Sequence, residues 1–207
     1  MASTGKNLLK ARVRMKALAL AAGTFVACQG TAVAQQCIDN IPPSGWLSPG
    51  SVTPPAAEDR LAIMDVISHF FWARDSKDST GLNDLFTNDI VYELCTQGGN
   101  KQVSISNGPN DVNSYLGTLT TFLNLLVLRT RHIASNTILS VNGTDTVVGK
   151  TTVLVLLQNA YSELPELDYT ATLKTEFKKG SDGKWRFRRL TVIGDTTIPG
   201  ASGARGR

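Results

Sequence analysis

Histidine is nearly absent: the 207-residue chain holds two, His69 and His132. A reaction that needs a proton carrier at neutral pH has few side chains to draw on, because imidazole has the unperturbed pKa nearest pH 7. Cysteine is also sparse, with Cys28, Cys37 and Cys95 and no CxxC spacing. These few residues offer no paired metal-ligand spacing, and no glycine loop of the phosphate-binding kind occurs. Neither a metal nor a nucleotide cofactor is therefore expected. No apolar run approaches the roughly 20 residues that a membrane-spanning helix needs. There is no internal repeat and no low-complexity domain.

The N-terminus is better furnished. Lys6, Lys10, Arg12, Arg14 and Lys16 come without an acid, a mostly apolar run extends from Ala17 to Ala27, and Ala32-Val33-Ala34 precedes Gln35. That is the order of a secretory signal peptide, here residues 1–34. Cleavage after Ala34 is expected to yield a secreted or periplasmic product with no membrane partner. Met15-Lys16, directly before the apolar run, would by itself begin a compact bacterial signal, so translation can start at Met1 or Met15. Cys28, after Phe25-Val26-Ala27, offers lipoprotein processing as the competing reading.

Five of the 21 basic residues and none of the 17 acidic ones precede Gln35, which leaves 16 basic groups against 17 acidic in the cleaved chain. The basic character thus belongs to the leader. Nucleic acid, which would need a clustered basic face, is not an expected partner. Arg186, Arg188 and Arg189 cluster on one strand and read as a solvated face with one inward member. Cys37 and Cys95 survive cleavage into an oxidising compartment. They are either a disulfide, worth ~4 kcal/mol for a loop of that size in the chain-entropy model, or two separate buried thiols.

A Pro- and Ser-rich arm occupies residues 35–55, where Pro42-Pro43, Pro49 and Pro54-Pro55 keep the backbone out of helix and strand. From Ala56 the pattern changes: Ile63, Val66, Ile67, Phe70 and Phe71 recur at helical spacing, predicting a helix that ends near Ala73 to Asp75. Leu82, Leu85 and Phe86 suggest a second short helix, Asp89–Leu94 a strand, and Val103–Ile105 a short strand after a turn at Gly98-Gly99-Asn100. Asp111 is placed to cap a third helix through about Leu128. Strands are then expected at His132–Val141 and Thr146–Gln158, joined through Asn142-Gly143 as a type I′ hairpin. Another pair, Tyr169–Lys178 and Lys184–Ile193, flanks Lys179–Gly183. Asn142-Gly143-Thr144 is also a glycosylation sequon, although the hairpin suffices to explain it. Helices first and antiparallel strands afterwards predict an α+β fold, a cone-shaped, curved, mostly antiparallel sheet covered by N-terminal helices over residues 56–195. Residues 196–207 are small, polar and Gly-rich, and are expected to be a disordered tail.

Several segments in their order resemble the SnoaL-like branch of the nuclear transport factor two-like superfamily. They are Trp72-Ala73-Arg74-Asp75-Ser76-Lys77-Asp78, then Leu82 with Leu85-Phe86-Thr87-Asn88-Asp89, then Arg131-His132 with Asn136, and Asp182–Phe187. The branch includes scytalone dehydratase and hexachlorocyclohexane dehydrochlorinase. The resemblance implies that Asp75 orients His132 and that His132 takes a proton from a substrate, so both are catalytic candidates. The chemistry is sound independently of the family: a carboxylate on one imidazole nitrogen fixes the tautomer and leaves the other nitrogen as general base.

The chain also departs from scytalone dehydratase. A second pocket histidine would fall near Leu156 or Leu157, polar Ser and Asn near Ala171 and Leu173, and the tyrosine before the aspartate is Arg74. Arg74, Trp72, Tyr92 and Tyr169 are the substrate-binding candidates, Arg74 for an anionic or carbonyl group and the tyrosines as hydroxyl donors. His69 and Asp78 read as peripheral or capping residues, and Trp185 and Phe187 as core. The function implied is an exported, cofactor-independent lyase or isomerase, dehydratase- or cyclase-like, acting on a small apolar or polyketide-like molecule. The alternative is a non-catalytic ligand-binding or assembly module on the same fold. A homodimer or homotrimer is implied by the resemblance alone.

Overall fold

The computed structural model describes residues 52–78, 80–96, 100–159 and 164–195. The leader, Cys28, Cys37, most of the Pro-rich arm, Gly98-Gly99 and the tail lie outside the described residues. The first helix, α1 (Ala57–Ser76), buries Ile63, Val66, Ile67, Phe70 and Phe71, the stripe that the 3.6-residue period selects. Each such side chain contributes about 1.5–3 kcal/mol when fully withdrawn from water. No side chain caps its start. Instead Asp59 in the first turn accepts hydrogen bonds from Lys179 Nζ and Trp185 Nε1, both at 2.8 Å, which tie the helix to the far hairpin. The helix stops at Lys77, whose φ of 61° puts it in the left-handed region while its N–H returns to Ala73 O and Arg74 O.

A single 3-10 turn, Asn83–Leu85, replaces the expected second helix, and Phe86 already begins β1 (Phe86–Cys95). β2 (Lys101–Ile105) follows, then α2 (Pro109–Leu125), β3 (Leu128–Val141), β4 (Thr146–Asn159), β5 (Glu166–Lys179) and β6 (Trp185–Gly194). α2 starts two residues before Asp111, because Gly108 at φ 107° turns the chain and Pro109, pre-set for helix, takes the first position. It ends short of Leu128 because Val127 adopts φ 54° and reverses the chain into β3.

The six strands form one curved, unclosed sheet in the order β2-β1-β6-β5-β4-β3, antiparallel except between β1 and β6. Along β5, Ala171, Leu173, Thr175 and Phe177 are buried while their neighbours are not, the period-2 pattern of a sheet with one covered face. The core lies between that face and the helices, with Phe177, Phe187, Ile90 and Leu190 completely or almost completely buried.

Register shifts occur in each strand pairing, and three of them bear on the site and the core. In β3, Asn136 at φ 52° lies within a bulge between Ser135 and Ile138 opposite β4, which bends the edge strand. In β5, pairing passes from Leu156↔Leu167 to Val155↔Tyr169, so Asp168 is the extra residue. In β6, Glu176 pairs with Arg189 but Phe177 with Phe187, leaving Arg188 as the extra residue. That last bulge lets Phe187 and Leu190 both face the core although they are three residues apart.

Arg186 pairs locally with Asp182, whereas across the bulge Arg188 meets Asp89 and Glu176 and Arg189 meets buried Glu93. The β3–β4 connection is not the type I′ turn expected. Residues 142–145 form a four-residue loop in which Gly143 alone has positive φ, closed by Asn142 N–H to Thr146 O at 2.9 Å. Cys95 is disulfide-bonded; Cys37, its partner in one of the two alternatives the sequence offers, is outside the described residues.

Candidate active site

The last turn of α1 lies against β3, and there Asp75 meets His132. His132 Nδ1 is 2.6 Å from Asp75 Oδ1, the His132 backbone N–H donates to Oδ2 at 2.8 Å, and the Thr130 hydroxyl donates to Oδ1 at 3.0 Å. Thr130 and His132 are two residues apart, so the strand's period brings both side chains to the same carboxylate. The side chains of the pair are 9% and 7% exposed. Burial by itself would raise the Asp75 carboxyl, but the hydrogen bonds and charge of His132 together with Thr130 outweigh it and hold the pKa below the ordinary carboxylate value.

An ionised carboxylate only accepts, so Nδ1 carries a proton, and in the neutral ring that tautomer leaves the lone pair on Nε2. Among the described residues Nε2 has no hydrogen-bond partner. The ring is held flat by Phe71, stacked at 5.2 Å and 16°.

His132 borders three hollows. The innermost, about 50 Å³, has Arg74, Tyr92, Tyr169, Ala171 and Leu173 among its walls. A second, of about 120 Å³, shares Arg74, Leu119, His132, Val155 and Tyr169 with the first and adds Thr130, Leu157 and Asp168. Room for one water needs roughly 10–15 Å³ by this kind of measure, so the two adjoining spaces hold several waters or a small ring. The third hollow is an outer groove of about 390 Å³ lined by Trp72, Asp75, Arg131, Ile133 and Leu156. The positions expected to differ from scytalone dehydratase are thus wall residues: Ala171 and Leu173 inside, Leu157 in the second space and Leu156 in the groove.

The other candidates divide accordingly. Cross-strand pairing sets His132 opposite Val155 and Val155 opposite Tyr169, one row across β3, β4 and β5. Tyr92 reaches the same space from β1, on the inward parity that places it opposite Leu190. Arg74 crosses from α1 towards α2 and donates to Leu116 O at 3.2 Å. Trp72 is not brought into the inner cavity: it is 69% exposed and faces the groove. Asp78, in line with its expected capping role, is exposed and accepts from Thr80 N–H and Oγ1. His69 is exposed on α1, and Trp185 and Phe187 are in the core.

Two contributors escaped the sequence reading. Thr130 was detectable as the same-face neighbour of His132. Tyr115, on the inner face of α2 with Val112 and Leu116, packs 5.8 Å from the Tyr92 ring, and its hydroxyl is buried without a hydrogen-bond partner. Burial pushes the Tyr169 hydroxyl up to about 12 and raises Tyr92 and Tyr115 as well, against the opposing pull of the Arg74 charge. All three are neutral donors at physiological pH.

The profile of the SnoaL-like domain matches residues 55–191. Among solved structures the chain is similar to ActVI-ORFA from Streptomyces coelicolor, at 18% identity over 70% of this chain and 100% of that one, with a TM-score of 0.60. It is also similar to a candidate scytalone dehydratase from Novosphingobium aromaticivorans, with 15% identity, 66% and 84% coverage and a TM-score of 0.55. A nuclear transport factor two-like protein with a cystatin-like fold, from the same organism, shares 20% identity with 70% and 86% coverage and a TM-score of 0.55. At these identities the likeness establishes the fold. No curated protein sequence matches the chain.

Proposed function

Because the chain belongs to the SnoaL-like domain family, we propose that it is a cofactor-independent lyase or isomerase, dehydratase- or cyclase-like, in which His132 is the general base. The observation that carries this reading is the 2.6 Å contact of His132 Nδ1 with Asp75 Oδ1, made by a ring that borders a largely apolar cavity and whose Nε2 is unpartnered among the described residues. Nε2 takes a proton from carbon adjacent to a carbonyl. The released electron pair then expels a β leaving group, or shifts to a new double bond or ring closure. Asp75 stabilises the imidazolium formed, which hands its proton to the departing oxygen or back to carbon. Low dielectric around the pair strengthens that attraction, and a positioned base of this kind supplies about 10²–10⁴-fold in rate.

The substrate is small and apolar or polyketide-like, in keeping with walls of Phe70, Leu94, Leu119 and Leu173. On the order of its leader the protein is exported and works in the periplasm or outside the cell, so the secreted product should begin at Gln35. It associates as a homodimer or homotrimer, a state that sedimentation velocity reads directly.

The test of the activity is turnover of a panel of β-hydroxy ketones and cyclisable polyketide mimics by wild type, His132→Gln and Asp75→Asn. Product formation that falls about 10²–10⁴-fold in His132→Gln fits the proposal. Binding of panel members without any turnover favours the non-catalytic module instead.

A further inference from the structure

The cavity contains a charge for which the proton transfer at His132 has no use. Arg74 projects from α1 into both inner spaces and makes one hydrogen bond, to the backbone carbonyl of Leu116. Among the described residues no carboxylate oxygen lies within 4.0 Å of its guanidinium. The nearest acid in sequence, Asp75, is committed to His132 and Thr130. Asp168 also lines the second space, but the half-buried guanidinium has no carboxylate within ion-pair distance among the described residues and a single neutral acceptor, so its charge is left without a paired counter-charge there.

Neutral donors gather around it. Tyr92 and Tyr169 line the same cavity, and Tyr115 packs on Tyr92 with its hydroxyl buried and unsatisfied. The charge of Arg74 acts on all three hydroxyls, which are protonated at neutral pH and which burial pushes further from ionising. A guanidinium with no carboxylate within 4.0 Å among the described residues, beside tyrosine hydroxyls, is suited to an acceptor brought from outside, and its planar fork favours one with two coplanar oxygens.

We propose that Arg74, with Tyr92, Tyr115 and Tyr169, is a carboxylate-binding subsite, so the substrate carries a carboxylate at the end away from its acidic C–H. This rests on the reading of the cavity as the place where His132 reacts. The row His132, Val155, Tyr169 spans two strand spacings, about 10 Å, which a single ring bearing a carboxylate bridges. The carboxylate is an anchor and takes no part in bond making or breaking.

The test measures binding alone, by calorimetry at pH 7 on the purified protein, with benzoate as probe and benzamide and acetophenone as neutral counterparts. Wild type should bind benzoate at least about tenfold more tightly than either neutral compound, the scale of one charge-assisted contact. Arg74→Gln should erase that preference, Arg74→Lys should keep part of it, and Tyr115→Phe should weaken benzoate several-fold without altering benzamide. Equal binding of the three probes, absence of benzoate binding, or a preference that persists in Arg74→Gln overturns the subsite. His132→Gln should retain the preference. Loss of the preference in Arg74→Gln together with its retention in His132→Gln supports the subsite even if no substrate is turned over, so the fate of the general-base reading is decided separately.

Discussion

Asp75→Asn is the substitution whose consequence the geometry specifies most fully. The carboxylate accepts three hydrogen bonds, two on Oδ1 from the His132 ring and Thr130 and one on Oδ2 from the His132 backbone. An asparagine has one accepting oxygen. Placed at the Oδ1 position, it keeps the ring and Thr130 but aims its NH₂ at the His132 N–H, donor against donor. Placed at the Oδ2 position, it keeps the backbone bond, but its NH₂ meets Nδ1 and forces the imidazole into the Nε2–H form, which is no base. Either arrangement loses a charge-assisted bond and strands a buried polar group, a cost of about 2–4 kcal/mol. For a protein of this size that lowers Tm by about 5–15 °C.

The same variant should change the acid limb of stability. The folded pKa of Asp75 lies below its unfolded value of 3.8, so the folded form binds fewer protons. Its stabilising contribution is fully present above that value and is lost as pH falls through the lower folded pKa. Wild type should therefore weaken more steeply than Asp75→Asn below about pH 4. Urea titrations followed by tryptophan fluorescence give the stability, and nitrogen NMR of the imidazole gives the tautomer. A stability loss under about 0.5 kcal/mol with His132 still protonated on Nδ1 would refute the reasoning.

Two other perturbations probe the scaffold. A Cβ on Gly149 would come within 2.5 Å of Thr175 Oγ1 and 2.9 Å of Leu139 Cδ2, so Gly149→Ala should cost about 1–3 kcal/mol by overpacking; an unchanged melting curve would contradict the packing described for β4. Glu93, 2% exposed, accepts from Thr191 and pairs with Lys101 and Arg189. Glu93→Ala should destabilise by about 3 kcal/mol because two partly buried cations lose their partner, and denaturant titration showing no loss would count against that cluster.

Much of this architecture is written in side-chain periodicity. The five-residue stripe of α1 and the alternation on β5 follow from the residues alone, because a single covered face selects the apolar positions at 3.6 or 2 residues. Where the backbone departs from regular geometry the pattern falls silent. Arg188 reads as part of an alternating strand, yet the bulge makes it the extra residue, and no two of the three arginines share an acid partner. Val127 in the left-handed region is disfavoured for a β-branched residue, and its N–H returns to Asn124 O at 3.0 Å; residue type gives no warning of that reversal, so α2 ends before the position its pattern suggests.

The site divides in the same way. Asp75 and His132 were recognisable from their place in a family order. Thr130 needed only the strand's period. Tyr115 required knowledge of which face of α2 meets β1, and the unpaired state of the Arg74 charge required the positions of all neighbouring acids, neither of which a linear sequence contains. Trp72 shows the opposite limit: it adjoins the site in sequence, but the helical rotation of 100° per residue carries it outward to the groove.

The central claim, that His132 is a base acting on a molecule held in the cavity, is tested most directly by proton exchange. Carbonyl compounds that ligand-observed NMR shows to bind would be incubated with the protein in D₂O, and deuterium at the carbon next to the carbonyl followed by mass spectrometry. The account predicts incorporation by wild type that drops about 10²-fold or more in His132→Gln, with binding retained. Bound compounds that gain no deuterium, or gain it equally in the variant, would contradict it.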